Sequence, residues 1–168
     1  MDSCAITGPR PSRFKFKYNE SAKECVALKS RIKNQLIQLY RQGIRNFYVG
    51  GALGVDMWCS ELLLSLQKEG YADIHLITAI PFKGFDHDWK PEYKERMIKI
   101  LERSDIVVVC QKPGASSYLE RNRYMVDHAD CLLAVYDIEN PISRSGTAMT
   151  IRYAQKIGLS TIFIQPST

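Results

Sequence analysis

Two runs, Ile106-Val107-Val108-Val109-Cys110 and Leu132-Leu133-Ala134-Val135-Tyr136, constrain the fold more than anything else in the chain. Neither alternates apolar with polar side chains, which is the pattern expected of a strand covered on both faces. Such strands belong mainly to parallel sheets with helices on either side. Four more strand-sized segments fall at Cys4–Thr7, Phe47–Val49, Ile74–Ile80 and Ser160–Ile164. Helical spacing fills the gaps. From about Ser21, Cys25, Leu28, Ile32, Leu36 and Leu39 recur on one face, and Gly43 suits the position just past the helix end. Trp58, Cys59, Leu62, Leu63 and Leu66 mark a second helix to about Glu69. Pro91 opens a third with Tyr93, Met97, Ile100 and Leu101 inward, and a fourth begins near Leu119. The fifth follows Ser145-Gly146-Thr147, places Thr150, Ala154 and Ile157 on one face, and stops at Gly158. Six strands alternating with five helices predict a three-layer α/β domain with a mostly parallel sheet, a single domain over residues 1–168.

At 168 residues such a domain buries a core without disulfides or metal. No apolar run approaches the roughly 20 residues of a membrane span, and Met1-Asp2-Ser3-Cys4-Ala5 lacks a signal peptide's basic and apolar regions. Five cysteines without a C-x-x-C pair, mostly inside apolar patterns, predict free thiols and a cytoplasmic location. His75, His87 and His128 are scattered, so no metal site is expected; the loop containing Asp86, His87 and Asp88 is the weak exception. The net charge of +5 is uneven, because ten of the 23 Lys/Arg and three of the 18 Asp/Glu lie in residues 1–45. The helix lysines there read as a solvated face. In the segment 13–18, Arg13, Lys15 and Lys17 alternate with Phe14, Phe16 and Tyr18, giving an extended basic-aromatic stretch that either stacks on bases or pins a loop to the core.

Ligands of parallel α/β sheets bind beyond the carboxyl ends of the strands. Those ends carry Thr7-Gly8, Gly50-Gly51, Asp137 and, one loop later, Ser145-Gly146-Thr147. In Phe47–Asp56, β-prone residues run into Gly50, Gly51 and Gly54 and then a helix. Glycine lets a backbone approach a ligand, and a helix N-terminus presents unpaired N–H groups, so a phosphate is the expected guest. The other reading is a glycine-rich turn that binds nothing. It is not the dinucleotide G-x-G-x-x-G pattern, because Val49 stands at the first glycine.

Four motifs in order, Thr7-Gly8-Pro9-Arg10-Pro11, Gly50 to Trp58, Arg121 to Asp127 and Ser145 to Thr150, resemble the SLOG superfamily, in particular its DUF1273/YpsA-like group of small Rossmann-like bacterial proteins. The resemblance covers nearly the whole chain and implies a Rossmann-like domain, with homo-oligomers common. The usual opening of that group is T-G-H-R-P, and Pro9 replaces the histidine. The related LOG enzymes cleave the N-glycosidic bond of nucleoside monophosphates with an Arg in R-K-x-x-M and a Glu in P-G-G-x-G-T-x-x-E. Arg121 with Met125 is similar to the first, which would make Arg121 catalytic, but Met149 and Thr150 stand where carboxylates would follow. Asp56, Asp137 and Glu120 are the possible substitutes. The DNA-processing protein A (DprA/Smf) group, which binds single-stranded DNA, is similar at Gly50–Asp56, Arg121–Arg123 and Ser145–Thr150.

These readings converge on a cytoplasmic binding protein for a nucleotide or nucleotide-derived, phosphate-bearing ligand, without a cofactor. Thr7, Gly8, Arg10, Gly50, Gly51, Gly54, Asp56, Arg121, Ser145, Gly146 and Thr147 form the expected site. Arg10 and Arg121 can fork onto phosphate oxygens, and Asp56 either caps its helix or holds a ribose hydroxyl. A LOG-like hydrolase and a single-strand DNA binder are the alternatives.

Overall fold

The computed structural model describes residues 1–142 and 144–167. Chain order is β1 (Ser3–Thr7), α1 (Lys23–Arg41), β2 (Asn46–Val49), α2 (Val55–Lys68), β3 (His75–Ile80), α3 (Pro91–Glu102), β4 (Asp105–Val108), α4 (Ser117–Asp127), β5 (Cys131–Val135), α5 (Gly146–Lys156) and β6 (Ser160–Ile164). All strand pairs are parallel, in the order β4-β3-β2-β1-β5-β6. The chain winds outward from β1 to β4, then returns to place β5 against the other side of β1. Because crossovers in parallel sheets are right-handed, this reversal moves the following helices to the opposite face. α1, α2 and α3 accordingly pack together on one face, and α4 with α5 on the other. The reversal point lies between β1 and β5, where Thr7 pairs with Ala134. In such sheets this is where a crevice opens.

The larger core forms under α1–α3. Cys25, Leu28, Ile32, Leu36 and Leu39 are all buried, as their spacing requires, and Trp58 and Phe47 are its largest members. α1 ends as expected at Gly43: the Ile44 N–H closes on the Leu39 carbonyl at 3.0 Å and the Gly43 N–H on that of Tyr40 at 3.0 Å. The opposite face is lined by small residues, Ala5, Ala79, Ala134 and Ala154, with Leu132, Met125 and Ile151. Small side chains there let α4 and α5 come close to the sheet.

Three expectations are corrected. Ile106–Cys110 is not a strand covered on both faces: β4 is an edge strand, with Ile106 48% and Val108 37% exposed. The ladder still continues through Val109 N–H to Ile80 O and Cys110 N–H to Pro81 O. Apolar continuity identified the strand but not its rank in the sheet. Ile157 is half exposed, since α5 turns Thr147, Ala148, Ile151 and Ala154 inward instead. The segment 13–18 is not extended. After a 3-10 turn at Pro11–Arg13 it coils through successive turns, with Lys17 N–H on Phe14 O and Asn19 N–H on Phe16 O. Phe14 and Phe16 therefore fall on the same side, stack at 4.8 Å, and lie 5.5 and 6.0 Å from the Trp58 ring. Burying two rings against a tryptophan outweighs the extended preference of the alternating pattern.

An ion-pair cluster fastens this segment to the helices. Arg96 of α3 donates to Glu20 at 2.7 Å and to Glu61 of α2 at 2.6 Å, and Lys29 of α1 donates to Glu20 at 2.7 Å. Burial works against ionisation of Glu20, but its bonds from Arg96 and Lys29 hold the carboxyl at about 2. A depressed carboxyl pKa adds stability above the unfolded value of 4.5, and that stability is lost as pH falls toward 2. Arg96→Ala should lower stability by about 2 kcal/mol at pH 7. The deficit should shrink as the pH is lowered through that window, as read by urea denaturation.

Candidate ligand-binding site

A cavity of about 1040 Å³ opens at the carboxyl ends of β1 and β5. Thr7, Gly8 and Arg10 after β1, Asp137 after β5, Arg121 of α4 and the Ser145-Gly146-Thr147 start of α5 line it. Asp56 and Ala52 complete the wall on the α2 side.

Gly50, Gly51 and Gly54 are not among its lining residues; they are buried behind the wall. Gly54, the residue before α2, has φ +85°, and a Cβ there would stand 2.6 Å from the Pro9 carbonyl oxygen and 2.9 Å from Pro11. That carbonyl accepts the first N–H of α2, from Val55, at 3.2 Å. Position 9 thus shapes the loop through its backbone, which proline supplies as well as any residue. Gly8 packs on the Val55 side chain, and Gly51 faces Thr78 and Phe85. A Cβ at Gly50 would meet the Arg121 guanidinium at 2.8 Å and the Asp56 carboxylate at 2.9 Å. The glycine turn expected to cradle a phosphate instead admits three pieces of the protein: the Pro9–Pro11 loop, an arginine and a carboxylate.

Arg121 is 4% exposed. Its Nη1 donates to the carbonyls of Gly50 and Ala79, at the ends of β2 and β3, and Nε donates to Asn122 Oδ1 at 2.8 Å. Nη2 donates to no described residue. Burial lowers its pKa, Asp56 works the other way, and Arg10 adds to the lowering. Arg10, exposed on the cavity rim, has no ion-pair or side-chain hydrogen-bond partner among the described residues. Both guanidinium groups lie 5.5 Å from the Tyr118 ring centroid, close enough for cation–π attraction. Tyr118 escaped the sequence reading, although it stands one helical turn before Arg121 and so on the same face. Phe82 packs edge-on against it at 5.9 Å, which is how the 82–89 loop supports the site. No group of three or more His, Cys, Asp or Glu side chains among the described residues is placed to hold a metal.

At α5 the Ser145 hydroxyl accepts the Ala148 N–H and donates to Ile142 O, both at 3.0 Å. It is a helix cap. The Gly146 and Thr147 N–H groups, in the first turn, have no helical acceptor. With the helix dipole behind them they are suited to an anion.

Asp56 is the unusual member. It lies in the first turn of α2 but does not cap it; Oδ2 accepts the Ala52 N–H at 3.2 Å, and Oδ1 accepts from no described residue. Burial pushes its carboxyl up to about 6, in spite of Arg121, the Ala52 N–H and Arg10. Asp137 is occupied differently, accepting the N–H groups of Glu139 and Asn140 to start its loop. Glu120 accepts from Ser116 and Cys110 outside the cavity. Arg123 lies 5.0 Å from the Tyr153 ring, and Tyr153 donates to Asp127, so both serve the α4–α5 junction.

A parallel sheet reversing at β1, with a cavity at the reversal, defines a Rossmann-like α/β protein. The family model described as the YspA SLOG family matches residues 4–168, and the chain belongs to that family. It is 30% identical over 154 residues to the UPF0398 protein YpsA of Bacillus subtilis, covering 88% of this chain and 84% of the relative. It is 31% identical over 145 residues to a UPF0398 protein of Bacillus cereus, covering 84% and 77%. Among solved structures, DNA processing protein A from Helicobacter pylori, described for its single-stranded DNA binding mode, superposes with a TM-score of 0.65 at 23% identity. The match covers 96% of this chain and 64% of that one, and it speaks for the fold.

Because the Asp56 pKa is raised from 3.8 to about 6, its contribution to stability is complete below pH 3.8 and is lost as pH rises through 6. The ionised carboxylate then costs about 3 kcal/mol. Asp56→Asn should therefore be about 2–3 kcal/mol more stable than the native protein at pH 8 and show a flatter profile between pH 4 and 6. Equal stabilities at pH 8 in urea melts would contradict a buried, destabilised carboxylate.

Proposed function

We propose that this protein binds a nucleotide or nucleotide-derived, phosphate-bearing ligand in the cavity beyond β1 and β5, as a sensor or regulator. One observation carries the reading: Arg10, Arg121 and the open first turn of α5 all lie on the wall of a single cavity. Arginine forks and helix N-termini are the two commonest ways a protein meets phosphate oxygens. Asp56 fits the same picture, since an expensive buried carboxylate is the kind of cost a binding site retains. Four buried cysteines among five free ones support a cytoplasmic location. The exposed apolar Ile106 and Val108 on the β4 edge support self-association. No helix of the described residues is long and apolar enough to cross a membrane.

A second reading, hydrolysis of an N-glycosidic bond, is favoured by Asp56 alone. A carboxyl raised to about 6 beside Arg121 is equipped to take a proton from water, and Met149 and Thr150 of α5 offer no carboxylate of their own. Single-strand DNA binding, attributed to the solved relative, draws support from Arg10, Arg13 and Lys15 at the cavity. Yet Phe14 and Phe16, the rings that would stack bases, are committed to each other and to Trp58.

Thermal shift against nucleoside mono- and diphosphates, cyclic nucleotides and ADP-ribose derivatives tests the first reading. At least one compound should raise the melting temperature, and Arg10→Ala should weaken its binding about tenfold while leaving the melting temperature of the ligand-free protein unchanged. No stabilisation by any phosphate-bearing compound would refute the reading. The hydrolase reading requires free base released from nucleoside monophosphates, with release lost in Asp56→Asn and Arg121→Ala alike.

A further inference from the structure

The two most deeply buried charged groups of the cavity are both unfinished. Arg121, 4% exposed, leaves Nη2 without a partner among the described residues, and Asp56, 7% exposed, leaves Oδ1 without one among them. They flank Gly50, whose missing side chain is the space that holds them together. Neither open atom is sealed off, since among the described residues only Arg31 Nε and Thr161 Oγ1 are buried without a partner; both are reached from the cavity, and a ligand that shuts water out must complete them or leave them unpaired. Water can make these bonds when no ligand is bound, but a ligand that displaces the water must replace both.

The two groups ask for different chemistry. Arg121, Arg10 and the α5 N-terminus want an anion. Asp56 wants a hydrogen donor, and a phosphate pressed against it supplies none while adding a like charge. The ligand must therefore carry a hydrogen-bond donor close to its anionic group, and in a phosphosugar the donors nearest the phosphate are the sugar hydroxyls. We propose that Asp56 reads a sugar hydroxyl of a phosphosugar, so that the site takes ribose-bearing ligands and rejects their deoxy counterparts. This rests on the phosphate-binding reading above and narrows it. A site whose buried acceptor is completed only by a hydroxyl discriminates strongly against the analogue lacking it, because the acceptor is then left unpaired. The bond is charge-assisted, since the carboxylate is ionised above about pH 6.

The asymmetry of the two carboxylate oxygens makes the idea testable without unfolding the protein. Oδ2 is held by the Ala52 N–H. In Asp56→Asn the amide oxygen keeps that bond and the open position becomes an NH₂ group, which cannot accept the hydroxyl's proton. Asp56→Ala removes both oxygens.

The experiment measures affinities by calorimetry at pH 7.5 for the ribo-, 2′-deoxy-, 3′-deoxy- and 2′,3′-dideoxynucleoside 5′-monophosphates of adenine, guanine and cytosine. Ribose 5-phosphate is added as a base-free arm. The native protein should prefer the ribo form over the dideoxy form about 10- to 100-fold. The two monodeoxy forms show which hydroxyl is read. Asp56→Asn should retain at most a few-fold of that preference and Asp56→Ala none, with dideoxy binding unchanged or tighter because a negative charge has gone. Binding of ribose 5-phosphate with affinity near that of the nucleotides would identify a sugar phosphate as the recognised unit; a large loss would identify a nucleotide. Either result is compatible with Asp56 reading the sugar. Equal binding of ribo and dideoxy forms by the native protein overturns this inference and leaves the phosphate site standing, as does a preference that survives in Asp56→Ala. Absence of binding by every compound, in folded protein, overturns both.

Discussion

The hydrogen bonds from Arg121 to the carbonyls of Gly50 and Ala79 hold the cavity end of the molecule together. The arginine belongs to α4, on the small-residue face, and reaches the ends of β2 and β3, whose following loops lead to the opposite face. It thereby joins two layers at the mouth of the sheet. Its guanidinium occupies space that exists only because residue 50 has no side chain. Asp56 lies within the reach of its field, Tyr118 lies against it, and Arg10 shares that ring from the rim. A charge this buried is stable only with carbonyls to receive it, so the backbone of the β2 turn is as much part of the site as any side chain.

The cavity also concentrates the energetic contradictions of the fold. Outside the cavity several charges are matched locally: Lys29 and Arg96 on Glu20, Lys33 on Glu69, Arg45 on Asp73. In the cavity a carboxylate is held ionised at neutral pH against a burial penalty, and Arg10 has no counter-ion among the described residues. A protein optimised for stability alone would have removed both. Their coexistence in one hollow, at the point where the strand order reverses, sets this cavity apart more firmly than the glycine count does.

Element order and sheet class were legible because periodicity is a local property: the α1 face from Cys25 to Leu39 is buried residue for residue. What failed was non-local. The apolar run at Ile106 states that a strand exists, but its place at the edge is decided by where β5 inserts. The basic-aromatic segment could be read as strand-like because its alternation is real, yet Trp58, more than 40 residues away, turns both rings to one side. That Thr7, Gly8, Arg10, Asp56, Arg121 and Ser145–Thr147 come together was legible, since all of them line one cavity. The job of the glycines was not, because close approach by a ligand and close approach by the protein itself leave the same mark on a sequence. Tyr118 was missed for want of any motif around it.

The contact between the Val55 N–H and the Pro9 carbonyl has a consequence for the cavity. Two signature motifs, far apart in sequence, are each other's binding partners: the first loop is docked on the start of α2 through Gly8 and Gly54. Motifs joined in this way are constrained as a pair. A side chain at position 8 or 54 would push the two apart, so the wall of the cavity and the start of α2 stand or fall together.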